Sequence, residues 1–414
     1  MRKSLHITIL TGLLLLLHAC MYDPIPERTD EAPLMLNVQL TTQAAGTRAS
    51  GDALEDALDA EDFIDIVNRD YQILVFDGNG RFIQNLTVTQ QRLSATDEKN
   101  KYIVTLSGPL SVSEGSVQVL VLTNWKGFDA EAAYPELTNG TLVDDLYKEA
   151  VKNCFTMPTH TAADGTRESW QPKISESGIP MFGVSAIIPL SAASSPTDTD
   201  VIDGKKVDGK VLDMGEIKLL RALSKIEVKK GASLPSDLSV SAVSLSAYNT
   251  IGRFIPDITA NRDWNIQETQ VNTPTLPDNV KRSTHALRFF QVPGTGTWRA
   301  YVPEMVLTTN RPDLTIDVTN STSGSTASFV IALDDPANPG TLASLLRNHI
   351  YRYVIASVEM KSGITAILDV VPYDETKLEP GFGKDHDELE ADGRPYDEKD
   401  LNPTFGEVNP NKER

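Results

Sequence analysis

The residue most ready for chemistry in this sequence is a thiol at the end of an apolar run. Met1-Arg2-Lys3 gives a basic start, Ile7 to Leu17 is mostly apolar, and Leu17-His18-Ala19-Cys20 follows. A basic segment, an apolar segment and a small residue before the cut describe an exported precursor. A cysteine directly after that small residue, with leucine three positions before it, predicts cleavage after Ala19 and acylation of Cys20. That pattern is a bacterial lipoprotein signal, the chemistry being transfer of lipid to sulfur. The apolar run is shorter than the roughly 20 residues a membrane span needs, so the expectation is a lipid tether and no span. The chain's other cysteine, Cys154, then has no partner, and no disulfide framework can form.

Other reactive constellations are missing from the sequence. It has no G-x-S-x-G elbow, phosphate-binding loop, H-E-x-x-H or C-x-x-C. Outside the leader the histidines are His160, His285, His349 and His386, scattered without metal-ligand spacing. Asp77 and Asn79 sit in Asp77-Gly78-Asn79-Gly80, but an EF-hand loop would need a Glu where Val88 stands, so they read as a tight turn. Trp125, Trp170, Trp264 and Trp298 have the chemistry to stack on sugar, yet each alone reads as core. A net charge of −19 argues against nucleic acid and against a basic membrane-binding patch. The expectation is no enzyme, no metal and no cofactor.

The elements around these residues read as strands. Leu34, Leu36, Val38 and Leu40 alternate with polar or flexible residues, so 34–40 is a strand with one apolar face. A small-residue stretch containing Arg48-Ala49 follows it. Residues 52–68 have apolar spacing near that of a short helix. The runs 71–76 and 81–88 flank a Gly/Asn turn and predict a hairpin, and 116–124 has the continuous apolar centre of a strand buried on both faces. Further strands are expected at 101–107, 184–190, 214–228, 238–248, 298–307, 314–318, 328–333, 352–360 and 364–371, with a short helix near 142–150. Short strands with Gly, Pro and Asn punctuation predict an all-β protein of two β-sandwiches. The expected division is a signal peptide over 1–19, a tether and first strand over 20–48, sandwiches over 49–213 and 214–373, and a tail over 374–414. From 382 to 414 the tail holds ten acidic and five basic residues and reads as solvated and disordered.

Several short motifs in order resemble the fimbrillins of the Bacteroidota, the lipoprotein-derived subunits of type V pili. They are the lipobox ending at Cys20, the strand run before Thr47-Arg48-Ala49, and Val119–Asn124. Ile179-Pro180-Met181-Phe182-Gly183, Leu219-Leu220-Arg221-Ala222-Leu223-Ser224-Lys225-Ile226-Glu227-Val228, Tyr301-Val302-Pro303-Glu304 and Leu346-Arg347-Asn348-His349-Ile350-Tyr351-Arg352 complete the set. Together they cover roughly residues 1–372, and Ser224 stands where the family usually has Ala.

The resemblance implies two tandem transthyretin-like sandwiches and a route of assembly. The lipidated precursor reaches the outer membrane and the cell surface. An arginine-specific protease cuts at Arg48–Ala49 and releases the lipid together with the first strand, marked by Leu34, Leu36, Val38 and Leu40. A strand from another pilus subunit then fills the groove, the candidate donor here being Ile364, Ala366, Leu368 and Val370. The implied role is a fimbrial structural subunit acting in adhesion to a host or bacterial surface ligand. A lipid-anchored anchor or tip component, or a glycan-binding lipoprotein, stays open as an alternative.

Overall fold

The alternation read from the sequence becomes paired strands, because each apolar face finds a second sheet to cover it. The structure is a computed structural model that describes residues 34–42, 64–95, 102–148, 153–162, 166–173, 176–196, 201–202, 205–206, 209–256, 274–360 and 363–372. All of them fall in one compact unit, residues 1–376. The protein is all-β with a few short helices, as expected.

In the first sandwich, one sheet runs in the order Val211–Lys218, Met35–Thr42, Tyr102–Pro109, Gln90–Ala95. The facing sheet runs Leu220–Arg221, Met181–Val184, Ser116–Thr123, Tyr71–Asp77, Phe82–Asn85. Their inner faces share one core that includes Leu36, Val38, Leu106, Val75, Val119 and Ile217. The hairpin forms as read, with Asp77 Oδ1 accepting the Asn79 and Arg81 amides across the turn. Ser116–Thr123 is buried on both faces: Val119 and Val121 face the first core, and Leu120 and Leu122 face the second.

In the second sandwich, one sheet runs Phe290–Val292, Thr297–Val302, Ser224–Lys230, His349–Glu359, Gly363–Pro372. The other runs Thr326–Ala332, Asp313–Asn320, Leu238–Leu245, Leu287–Arg288, Arg167–Ser169, Thr159–Thr161. The two sandwiches repeat one pairing scheme. Met35–Thr42 pairs parallel with Val211–Lys218 and antiparallel with Tyr102–Pro109. Ser224–Lys230 does the same with His349–Glu359 and Thr297–Val302. In the facing sheets, Tyr71–Asp77 between Ser116–Thr123 and Phe82–Asn85 matches Leu238–Leu245 between Asp313–Asn320 and Leu287–Arg288. Met181–Val184 on Ser116–Thr123 matches Thr326–Ala332 on Asp313–Asn320. Among the described residues Gly363–Pro372 has no counterpart in the first sandwich: it is a surplus strand on an edge.

The structure refines the expected division. The boundary at 213/214 falls inside the strand Val211–Lys218, which belongs to the first sandwich, and the chain passes to the second at 222–224. The halves also interleave. Cys154–Thr156 pairs with Ile251–Arg253, and Arg167–Ser169 runs parallel to Leu287–Arg288. Residues 184–190 are two short pieces, Met181–Val184 and Ile188–Pro189, interrupted where Ser185 turns to bond Val119. The helix near 142–150 forms over Val143–Lys148. The described end of the expected 52–68 helix, 64–68, leads into a turn instead. There Asp65 N bonds Asn124 Oδ1 and Asp65 Oδ1 receives the Asn68 amide, so tertiary bonds outcompete helical spacing. Among the described residues no helix is long and apolar enough to cross a membrane. The leader, tether and tail lie outside the described residues.

Candidate strand-exchange groove

Met35–Thr42 occupies the middle of its sheet, bonded on one side by Tyr102–Pro109 from Met35↔Pro109 to Thr42↔Tyr102. On the other side Val211–Lys218 runs alongside from Met35↔Val211 to Thr41↔Lys218. Leu36, Val38 and Leu40 are each 0% exposed. Leu34, just before the strand, packs at the margin of the same core. Polar contacts fix the register: Ser107 Oγ donates to Asn37 Oδ1 at 2.9 Å, and Thr41 Oγ1 donates to Glu216 Oε1 at 2.7 Å. Burying three such side chains is worth roughly 5–9 kcal/mol, as large as the net stability of a typical domain. Without this strand the sandwich would hold an apolar trough between two strands whose facing amides and carbonyls lack partners.

The candidate donor lies at the other end of the chain. Among the described residues Gly363–Pro372 pairs only with His349–Glu359, from His349↔Pro372 to Glu359↔Gly363. Ala366 is buried and Ile364 half-buried against the second core. The register sets Leu368 opposite Tyr353 and Val370 opposite Tyr351. The structure thus places Leu36, Val38 and Leu40 in an interior strand, with Leu34 just before it, and Ile364, Ala366, Leu368 and Val370 in an edge strand. Ala19, Cys20, Arg48 and Ala49 lie outside the described residues.

Arg221 and Asn348 link the two sandwiches, while Arg347 and Glu304 form a buried pair within the second, roles their sequence did not announce. Arg347 is 1% exposed and donates through Nε and Nη2 to Glu304 Oε2 at 3.0 and 2.8 Å, and through Nη1 to Phe254 O at 3.0 Å. Asn348, at φ 57°, accepts from the Arg221 amide and Nη1 and donates its own amide to Leu223 O. Ala222 N donates to Pro180 O, and Asn124 Nδ2 donates to Ile179 O. Gly183 is demanded by close approach, since a Cβ there would lie 2.8 Å from Ile217 and Leu219 side-chain carbons and 2.9 Å from Lys218 O. The signal available in the sequence was a charged or amide residue inside an apolar run.

The other reactive side chains do not converge. His160 and His285 are exposed. His349 Nδ1 lies 2.8 Å from Arg347 O, and burial pushes its imidazole below the ordinary range. Burial pushes the Cys154 thiol up. Among the described residues no group of three or more His, Cys, Asp or Glu could hold a metal. Trp125 is stacked between Tyr134 and Phe254, Trp170 packs edge-on against Phe128, and Trp298 Nε1 bonds Val240 O. Trp264 lies outside the described residues.

No protein-family profile and no curated protein matches the chain. Solved structures that align with it include one described as a proposed cell adhesion protein of Bacteroides ovatus, at 12% identity and TM-score 0.34, covering 82% of this chain and 97% of that one. A second, described the same way, is from Bacteroides fragilis, at 11% identity and TM-score 0.36, covering 83% and 98%. The major pilin of Streptococcus pyogenes aligns at 11% identity and TM-score 0.16, covering 82% and 98%. At these scores none of the alignments carries an argument about function.

Proposed function

We propose that this chain is a structural subunit of a cell-surface fimbrium with a role in adhesion. On this reading it is exported as a lipoprotein, held at the outer membrane through Cys20, and assembled by donor-strand exchange after cleavage at Arg48–Ala49. The observation that carries the reading is the first strand. It is an interior strand whose Leu36, Val38 and Leu40 are fully buried, yet it comes before the candidate cleavage site, so one cut would separate it from the sandwich it completes. Support also comes from the surplus edge strand. Its Ile364, Ala366, Leu368 and Val370 repeat the two-residue spacing of Leu34, Leu36, Val38 and Leu40. The partners are other pilus subunits, the chain is not an enzyme, and no cofactor takes part.

The test is the N-terminus of the protein isolated from cells, read by mass spectrometry. A chain beginning at Ala49 is the expected result and means an acceptor groove has been opened. A chain beginning at acylated Cys20 would overturn the exchange step and leave a lipid-held anchor component.

A further inference from the structure

The repeated pairing scheme exposes a difference between the sandwiches. In the first, the outer edge of Met181–Val184 is paired by Leu220–Arg221. In the second, nothing among the described residues pairs with the outer edge of the equivalent strand, Thr326–Ala332. This strand is seven residues long, its sequence Thr-Ala-Ser-Phe-Val-Ile-Ala contains no charge and no proline, and its register with Asp313–Asn320 runs without a bulge. Its side chains alternate between half-buried and exposed, and Val330 is 63% exposed. Natural sheets guard open edges with charge, proline, bulges or brevity. The other described edges of these sheets carry such guards. Gln90–Ala95 holds Arg92, Val211–Lys218 has a bulge at its centre, and Phe82–Asn85, Phe290–Val292 and Thr159–Thr161 are short. Gly363–Pro372 holds Asp369 and is already assigned as donor.

We propose that Thr326–Ala332 is a lateral contact through which two copies of this chain pair edge to edge, antiparallel, about a two-fold axis at Phe329. In that register Ser328 of one copy, whose hydroxyl donates to Asp317 Oδ1 of its own copy, meets Val330 of the other, Ala327 meets Ile331, and Phe329 meets Phe329, so no charged side chain of one edge strand faces another. The acidic pair Asp334-Asp335 that follows the strand then faces the uncharged turn residues Gly324 and Ser323 of the other copy. A parallel pairing would set the acidic pairs against each other. Each copy carries a net charge of −19, so two copies repel almost everywhere, and a neutral edge is where they approach at least cost. The contact is small against a standard interface of about 1,600 Å², so it is weak between single subunits and adds up along an array. It uses neither the first strand nor the last, and stands apart from the exchange mechanism.

The experiment is sedimentation of the full chain in detergent at high protein concentration, at about 50 mM and about 500 mM NaCl, where the Debye length falls severalfold. The wild type is expected to self-associate, several-fold more tightly at high salt. Two double variants fix the register, since both change exposed positions and their thermal midpoints check the fold. Ser328→Lys with Val330→Lys sets like charges directly opposite across the two-fold, and is expected to abolish association. Ser328→Lys with Val330→Glu sets opposite charges there, and is expected to retain it. A wild type that stays monomeric at both salts overturns the proposal. So do double variants that are both retained or both lost.

Discussion

Glu227 places a carboxylate under three cations on the central strand of the second sandwich. Arg299 Nε is 2.7 Å from Oε1, Arg352 Nε is 2.9 Å from Oε2, and Lys225 Nζ is 3.6 Å from Oε1. Burial alone would raise its pKa, but Lys225, Arg299 and Arg352 outweigh burial and hold the carboxyl at about 2, against an ordinary 4.5. A group depressed on folding stabilises the native state above its unfolded pKa and loses that contribution as pH falls through the folded one. The protein should therefore lose about 3 kcal/mol from this residue between roughly pH 5 and pH 2. Denaturant unfolding at stepped pH should show a shallower acid loss for Glu227→Gln; equal slopes would acquit this carboxylate. The Glu304–Arg347 pair has a different consequence. Removing one partner of a buried pair costs roughly 3–5 kcal/mol, because the other charge stays buried alone. Glu304→Gln should lose stability on that scale, and adding Arg347→Met should recover part of it, measured as the non-additivity of a double-mutant cycle.

At the scale of elements the first strand was legible, because its alternation states both that it is a strand and which face is buried. The hairpin at Asp77–Gly80 was legible for the same local reason: turn chemistry sits between two apolar runs. Sheet membership was not legible. Residues 214–228 read as a strand opening the second sandwich, but Val211–Lys218 pairs with residues far earlier in the chain, and β-propensity carries no information about partners. These buried polar contacts were hidden too, since Arg221, Glu304 and Arg347 look like surface charges until the burial is known. Groove occupancy can be tested directly at this scale. A chain beginning at Ala49 should be stabilised by a synthetic peptide of residues 34–42, and also by one of residues 363–372. A 34–42 peptide with Val38→Asp should fail, because it would bury an unpaired carboxylate where Val38 is fully enclosed. Thermal shift against peptide concentration reads all three. Equal binding of the Asp peptide would mean the groove is not where the peptide sits.

The whole molecule has one sandwich that depends on an interior strand ahead of Arg48, and another that carries a strand beyond the shared scheme. On the proposed reading that asymmetry gives subunits a head and a tail, and a heterologous contact whose rotation does not close propagates as a filament. The acceptor end is costly to leave empty. The candidate donor, Gly363–Pro372, is laddered among the described residues only to His349–Glu359 and lies outside the pairing scheme the two sandwiches share. On the proposed reading filling the groove outweighs breaking that one ladder, and the filled joint, laddered on both sides by an interior strand, should open slowly. In cells, unboiled samples of the processed protein should run as a ladder on denaturing gels. Deleting residues 373–414 should keep that ladder, and deleting 363–414 should abolish it while the subunit still folds, as judged by its circular dichroism. Arg48→Ala should also abolish it and leave the lipidated form on the membrane. A ladder that survives loss of 363–414 would place the donor elsewhere, and a ladder that survives Arg48→Ala would separate polymerisation from the cut.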